Sequence, residues 1–222
     1  MPARLSINEA RSLVAAQIRQ LLDERSGRVI VGITGPPGTG KSTFARRLAD
    51  DFNAGRAGFA GYLPMDGFHL SNAQLDRLGR RDRKGAPDTF DVTGYLATLD
   101  RVAHEYRGHD VYVPDFDRVL DEPVAAGRVI LAESRLIITE GNYLALSTSG
   151  WHPVRRLIDR LYYLDCPAVA LRQRLIERHT AGGRSHDAAV HWVDSVDEPN
   201  ARLIGSTRSL CDTTLLINDP GD

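Results

Sequence analysis

The sequence predicts an α/β fold, a parallel sheet with helices on both faces. Short apolar, β-branched runs recur along the chain, stretches with helical apolar spacing separate most of them, and the first such strand runs directly into a glycine-rich turn and a helix start. With 222 residues the chain suffices for one sizeable core and is short for two, so residues 1–222 are read as a single domain.

The elements follow in order. Ser6 and Glu9 are spaced as a capping box, and Leu13, Val14, Ile18, Leu21 and Leu22 recur at helical spacing up to Gly27, so residues 1–27 supply an N-terminal helix. Arg28 to Thr34 is apolar on both faces, as in a strand buried within a parallel sheet. A turn and a helix over about Lys41 to Asn53 come next. Further strands are expected at Phe59–Leu63, Leu136–Thr139, Leu161–Leu164 and Thr214–Ile217, and helices near 91–107, 167–179 and 186–204. Leu70 to Asp91 is polar, contains glycine and proline, and is long for a connector, a length that often serves function.

Composition excludes several classes. The 28 basic and 29 acidic residues nearly cancel, which argues against a general nucleic-acid-binding surface. No run approaches the roughly 18 apolar residues of a membrane span, and MPARLSINEAR lacks the basic-then-apolar pattern of a secretory signal, so the expected location is the cytoplasm. Cys166 and Cys211 have no metal-site spacing and are too few for a disulfide framework. Of the basic residues only Lys41 and Lys84 are lysine. That bias suggests that lysine survives where a guanidinium will not serve.

Residues 35–42 read GPPGTGKS, which matches G-x-x-x-x-G-K-[ST] between a strand and a helix start. Gly35, Gly38 and Gly40 permit a tight backbone path that aims N–H groups inward, and the helix N-terminus adds positive potential. Gly35, Gly38, Thr39, Gly40, Lys41, Ser42 and Thr43 are therefore the expected nucleotide-binding residues. Lys41 can reach the outer phosphates of ATP, and the Ser42 hydroxyl can ligate Mg2+. No Asn-Lys-x-Asp guanine signature exists, which removes the common GTPases.

Two acids end predicted strands. Glu140 closes LIITE, where it either serves the metal or simply terminates the strand; Asp66 follows FAGYLPM and either makes a turn with Gly67 or accepts the proton of an attacking hydroxyl. Parallel strands all end on one side, so both acids would share a crevice with the phosphate loop, and either could help Ser42 position magnesium.

GPPGTGKST, MDGF, KGAPDTFD and ITEGNYL, in that order, resemble the P-loop kinases of the uridine kinase, phosphoribulokinase and type I pantothenate kinase superfamily. The likeness is strongest to bacterial nucleoside/nucleotide kinase-like proteins, some associated with fructose transport. It runs from about Val29 to Ile217. The resemblance implies a three-layer P-loop NTPase sandwich with a five-stranded parallel core sheet and a small helical lid at about 174–190. It implies Asp66 as catalytic base, Glu140 as the acid assisting metal and acceptor, and Arg178 and Arg184 as lid arginines on the transferring phosphoryl group. KGAPDTFD resembles the KGFPESYD stretch of the pantothenate kinases, which places Lys84, Asp88 and Asp91 beside the acceptor. Trp192, Asn200 and Thr207-Arg208 echo the order of that family's C-terminal segment, so Asn200 becomes an acceptor contact; His69, beside the base, by its own chemistry either donates a hydrogen bond to an acceptor hydroxyl or carboxylate or is a structural histidine. Arg80, Arg81 and Arg83 form a positive rim suited to an anionic acceptor or to water.

The expected activity is transfer of the γ-phosphoryl of ATP to a hydroxyl of a small metabolite. The acceptor is left open among pantothenate, nucleosides, sugars or sugar phosphates, and glycerate. The competing class is a regulatory P-loop ATPase without a small-molecule acceptor. The resemblance also admits a homodimer, although no apolar stripe in the sequence demands one.

Overall fold

A computed structural model describes residues 4–218. In chain order the elements are α1 (Ile7–Glu24), β1 (Val29–Thr34), α2 (Lys41–Asn53), β2 (Ala60–Pro64), α3 (Asn72–Leu78), α4 (Val92–His104), β3 (Val111–Asp117), β4 (Glu122–Ile130), β5 (Leu136–Glu140), β6 (Arg160–Asp165), α5 (Ala168–Ala181), α6 (His186–Trp192), α7 (Glu198–Gly205) and β7 (Thr213–Leu216). Five strands form a parallel sheet in the order β2-β5-β1-β6-β7. None of the helices among the described residues is long and apolar enough to cross a membrane.

Period-two alternation of the buried strands divides the core between the two faces of the sheet. Ile30, Leu63 and Ile137 pack with Tyr95, Leu99 and Val102 of α4 and with Trp151 on one face. Val29, Val31, Ile33 and Ile138 pack with α1 and α2 on the other. The expected α/β sheet with helices on both faces is thus present. The capping box at the head of α1 also forms, with the Glu9 amide donating to Ser6 Oγ at 3.2 Å and the Ser6 amide donating to Glu9 Oε2 at 2.8 Å.

Three stretches differ from the sequence expectation. The connector after Leu70 is structured: it holds α3 and two short 3-10 turns, Arg81–Arg83 and Pro87–Thr89. The expected helix over 186–204 is interrupted between α6 and α7 by a π-helical turn, Val193–Asp197, which lies just before Pro199, a residue with no N–H to give to the ladder. Residues 111–130 form an antiparallel hairpin, β3–β4, whose register shifts between Val113 and Asp115. Pro114 stands at that shift and has no N–H to give to a ladder. The hairpin packs on the turn Met65–Phe68 at the end of β2: a Cβ on Gly67 would lie 2.5 Å from Pro114 O. It is therefore fixed over the carboxyl edge of the sheet, where β2 and β5 end.

Candidate active site

The phosphate loop begins where β1 ends. Gly35, Gly38 and Gly40 have φ of 148°, 83° and 81°, a backbone that side-chain-bearing residues rarely adopt, and a Cβ on Gly35 would stand 2.2 Å from Leu164 O. Gly40 sits at the N-cap of α2 with no side-chain cap, so the helix start presents its amides to the loop's concavity. Lys41 opens α2 and is buried; its ammonium folds back over the loop and donates to Pro36 O at 2.8 Å. Burial lowers its pKa from 10.5 to about 8, against the pull of Glu140 and Asp66. Thr39 is buried with its hydroxyl on Pro36 O at 2.9 Å, so its side chain braces the loop, while Thr43 is exposed.

Glu140 ends β5 and is buried. Tyr62 Oη donates to its Oε1 at 2.8 Å, and the Ser42 hydroxyl also hydrogen-bonds to it. Burial first, and the Asp66 charge second, raise the Glu140 pKa, with Lys41 opposing. Asp66 lies in the 3-10 turn after β2, and its Oδ2 faces the Arg118 guanidinium at 3.4 Å. Ser42, Asp66 and Glu140 line one cleft of about 160 Å³, together with Arg46, Arg118 and Arg128. Hydroxyl and carboxylate oxygens are the hard donors that suit Mg2+, which takes one or two carboxylates beside phosphate oxygens; glycines with no room for a Cβ suit a close-lying polyphosphate. The donor set fits Mg·ATP.

The structure separates the remaining expected residues by location. His69 Nδ1 contacts Asp66 O at 2.8 Å, and its ring packs 4.0 Å from Phe90 and 4.9 Å from Phe116. Burial lowers its pKa, so the ring is neutral; because a carbonyl only accepts, the proton is on Nδ1 and Nε2 can accept but not donate. Lys84 is not free at the cleft. Its ammonium donates to Asn72 Oδ1 at 2.8 Å, Asp121 O at 2.5 Å and Asp121 Oδ2 at 2.8 Å, which uses its three donors, and it lies 5.2 Å from the Phe116 ring centroid. Asp88 pairs with Arg83 at 2.5 Å and with Arg80 at 3.5 Å, and Asp91 caps α4 by accepting from the Gly94 amide at 2.8 Å. These three residues knit the 70–91 segment together and tie it to the hairpin turn. The arginine rim is likewise neutralised locally, since Arg81 faces Asp76 at 3.6 Å.

In the C-terminal helices, Arg178 is exposed near the end of α5, within electrostatic reach of Lys41, Asp66 and Asp197. Arg184 instead lies 3.8 Å over the Trp192 ring and contacts His179 Nδ1 at 3.2 Å, while His179 Nε2 contacts Asp197 at 2.7 Å. Asn200 is buried in α7 and does not line the cleft.

Sequence reasoning missed seven of the ten cleft residues, Arg46, Pro64 and Phe116 among them. Tyr62 is inside β2, and Asp115, Arg118 and Arg128 belong to the unforeseen hairpin. Alternation of Val111 and Val113 just before DFDR was the available signal for that hairpin.

Comparisons with known proteins identify the family. The model of the phosphoribulokinase/uridine kinase family matches residues 30–213. "Putative uridine kinase C227.14" of Schizosaccharomyces pombe is 32% identical over 185 residues, spanning 80% of this chain and 78% of that protein. YggC of Escherichia coli is 37% identical over 180 residues, 80% of this chain and 73% of that one. The crystal structure of a "putative fructose transport system kinase" from Silicibacter sp. TM1040 has a TM-score of 0.80 at 37% identity, covering 90% of this chain and 97% of the other. A phosphate loop, an acid-lined cleft at the strand ends and a match over most of the chain place the protein in one group: it belongs to the phosphoribulokinase/uridine kinase family of ATP-dependent P-loop kinases.

Proposed function

We propose that this chain transfers the γ-phosphoryl group of ATP to a hydroxyl of a small metabolite, as one domain over residues 1–222 with a lid at about 174–190. The observation that supports this most is the shared cleft. Asp66, Glu140 and Ser42 face one space, with the buried Lys41 ammonium within electrostatic reach of both acids. A hydrolase without an acceptor has no evident need for a carboxylate beyond the metal-side acid.

Backbone amides of residues 38–43 and the Lys41 ammonium hold the phosphates. Ser42 and Glu140 are the residues that would hold magnesium, whose chemistry there is to neutralise charge on the phosphate oxygens, and Asp66 stands on the acceptor side of them. The Glu140 carboxylate is oriented by Tyr62 and Ser42 and does not need to reorganise. The Asp66 carboxylate, at the open end of the cleft, accepts the proton of the acceptor hydroxyl and holds its oxygen in line. Arg178, exposed beside Asp66 and Lys41, meets the developing charge on the phosphoryl oxygens and helps exclude water. Arg184 contributes by fixing the lid through Trp192 and His179. His69 holds the Asp66 turn and offers Nε2 as an acceptor.

Asp66→Asn should lower acceptor-dependent kcat by at least about a hundredfold, the scale of general-base loss, with Mg·ATP affinity retained. ADP release measured over a metabolite panel decides it. Unchanged turnover in the variant would remove Asp66 from the mechanism.

A further inference from the structure

We propose that the acceptor is an anion, a hydroxyl compound carrying a phosphate or carboxylate group that Arg118 and Arg128 bind; this rests on the reading of the cleft as the acceptor site. The hairpin brings the two guanidiniums to one wall. Arg118 sits just after β3, and Arg128 stands on β4 opposite Val113. Arg46 of α2 joins them in the cleft.

Their ties differ in kind. Arg128 is built in: its guanidinium lies 4.9 Å from the Tyr62 ring centroid and its Nη2 contacts Asp115 at 2.7 Å. One donor stays unmatched, because Nε is buried with no hydrogen-bond partner. A buried N–H without a partner costs about 1–3 kcal/mol. Arg118 is loosely held: its side chain is 60% exposed and its contact with Asp66 is long, at 3.4 Å. Arg46 Nε donates to the Ser42 carbonyl of its own helix, at 3.2 Å.

The cleft's three carboxylates equal its three arginines in number, so an incoming anion has to displace a pairing, and the weak one is that of exposed Arg118. Asp115 is taken by Arg128, Glu140 is bound by Tyr62 and Ser42, and Asp66 faces Arg118. A neutral sugar packed here would cover guanidinium donors without matching their charge. An oxyanion matches them with short, charge-assisted and bidentate bonds. It also competes with Asp66 for Arg118, so that acceptor binding releases the carboxylate that must take the hydroxyl proton. The base would then be freed when the acceptor is present.

The test uses matched pairs in the ADP-release assay with Mg·ATP: ribose and ribose 5-phosphate, fructose and fructose 6-phosphate, glycerol and glycerate. The phosphate and carboxylate arms distinguish the two kinds of anion. The charged member of at least one pair should show kcat/KM at least about tenfold above its neutral twin, the effect of roughly one charge-assisted contact. Arg118→Gln and Arg128→Gln should each raise KM for that compound about tenfold, while the Kd of Mg·ATP measured without acceptor stays within about twofold. Arg118 is exposed, so its variant should keep the wild-type circular dichroism, and it carries the test if Arg128→Gln loses its fold. Preference for a neutral member, or an equal loss on both members of a pair, overturns the proposal while leaving the kinase reading intact. ADP release that no compound raises overturns the acceptor reading itself.

Discussion

Lys41 carries a charge where folding alone disfavours it. Its pKa falls from 10.5 to about 8, with burial as the largest cause. The folded value therefore lies below the unfolded one, so the folded protein bears a penalty at all pH below about 8 and sheds it as pH climbs toward 10.5. Linkage between those two values gives a penalty of about 3 kcal/mol at pH 7 and about 1 kcal/mol at pH 10. Lys41→Met removes the titration and keeps the stem. Urea unfolding of nucleotide-free protein in chelator, at pH 7 and pH 10, should show wild type gaining roughly 2–3 kcal/mol on the variant over that interval, since Lys41 is the ionisable group that differs between the two chains. The hydrogen bond to Pro36 O shifts the absolute difference, which is why the pH dependence is the diagnostic quantity. Bound nucleotide should reverse the ranking at pH 7, because phosphates supply the negative charge that the apo loop lacks. A stability difference that does not change with pH would refute the idea that Lys41 is strained by burial.

Two further variants test the frame of the site. Gly35→Ala places a Cβ 2.2 Å from Leu164 O at a φ of 148°, so it should cost about 3 kcal/mol in urea unfolding and abolish ATP binding; an unchanged midpoint would mean that the loop and β6 are not in that contact. Tyr62→Phe removes the proton donated to Glu140 and should raise the magnesium concentration needed for half-maximal activity at least about tenfold, with the fold intact; a magnesium curve that superposes on wild type would detach Tyr62 from the metal side.

The phosphate loop was legible because its geometry is encoded locally. Glycine is needed at each positive φ, a buried strand precedes the loop and a helix follows it. The sheet was legible for a related reason, since strands buried on both faces read as continuous apolar runs. The acceptor side is different. The hairpin's residues are half-exposed, Pro114 interrupts their alternation, and its place over Asp66 depends on the close approach of Gly67, which no spacing announces. Lys84 shows the same limit. Its rarity marked it as special, but its partner Asp121 is 37 residues away, and that contact makes it a brace between the 70–91 segment and the hairpin turn. Asp91 was found by resemblance and turned out to cap α4, a role that its position before Val92 also allows. Glu140 and Asp66 were legible because parallel strands end on one side; Tyr62 was not, since a tyrosine inside a strand has no chemical signature until the carboxylate beside it is known.

The central claim is that Asp66 directs the γ-phosphoryl group to an organic hydroxyl and not to water. Phosphorus NMR of the products from Mg·ATP and an active acceptor tests it directly. The account predicts a new phosphate-ester resonance that grows one for one with ADP, and its loss in Asp66→Asn while Mg·ATP still binds. ADP matched only by inorganic phosphate, or an ester resonance that persists in the variant at the wild-type rate, would contradict it.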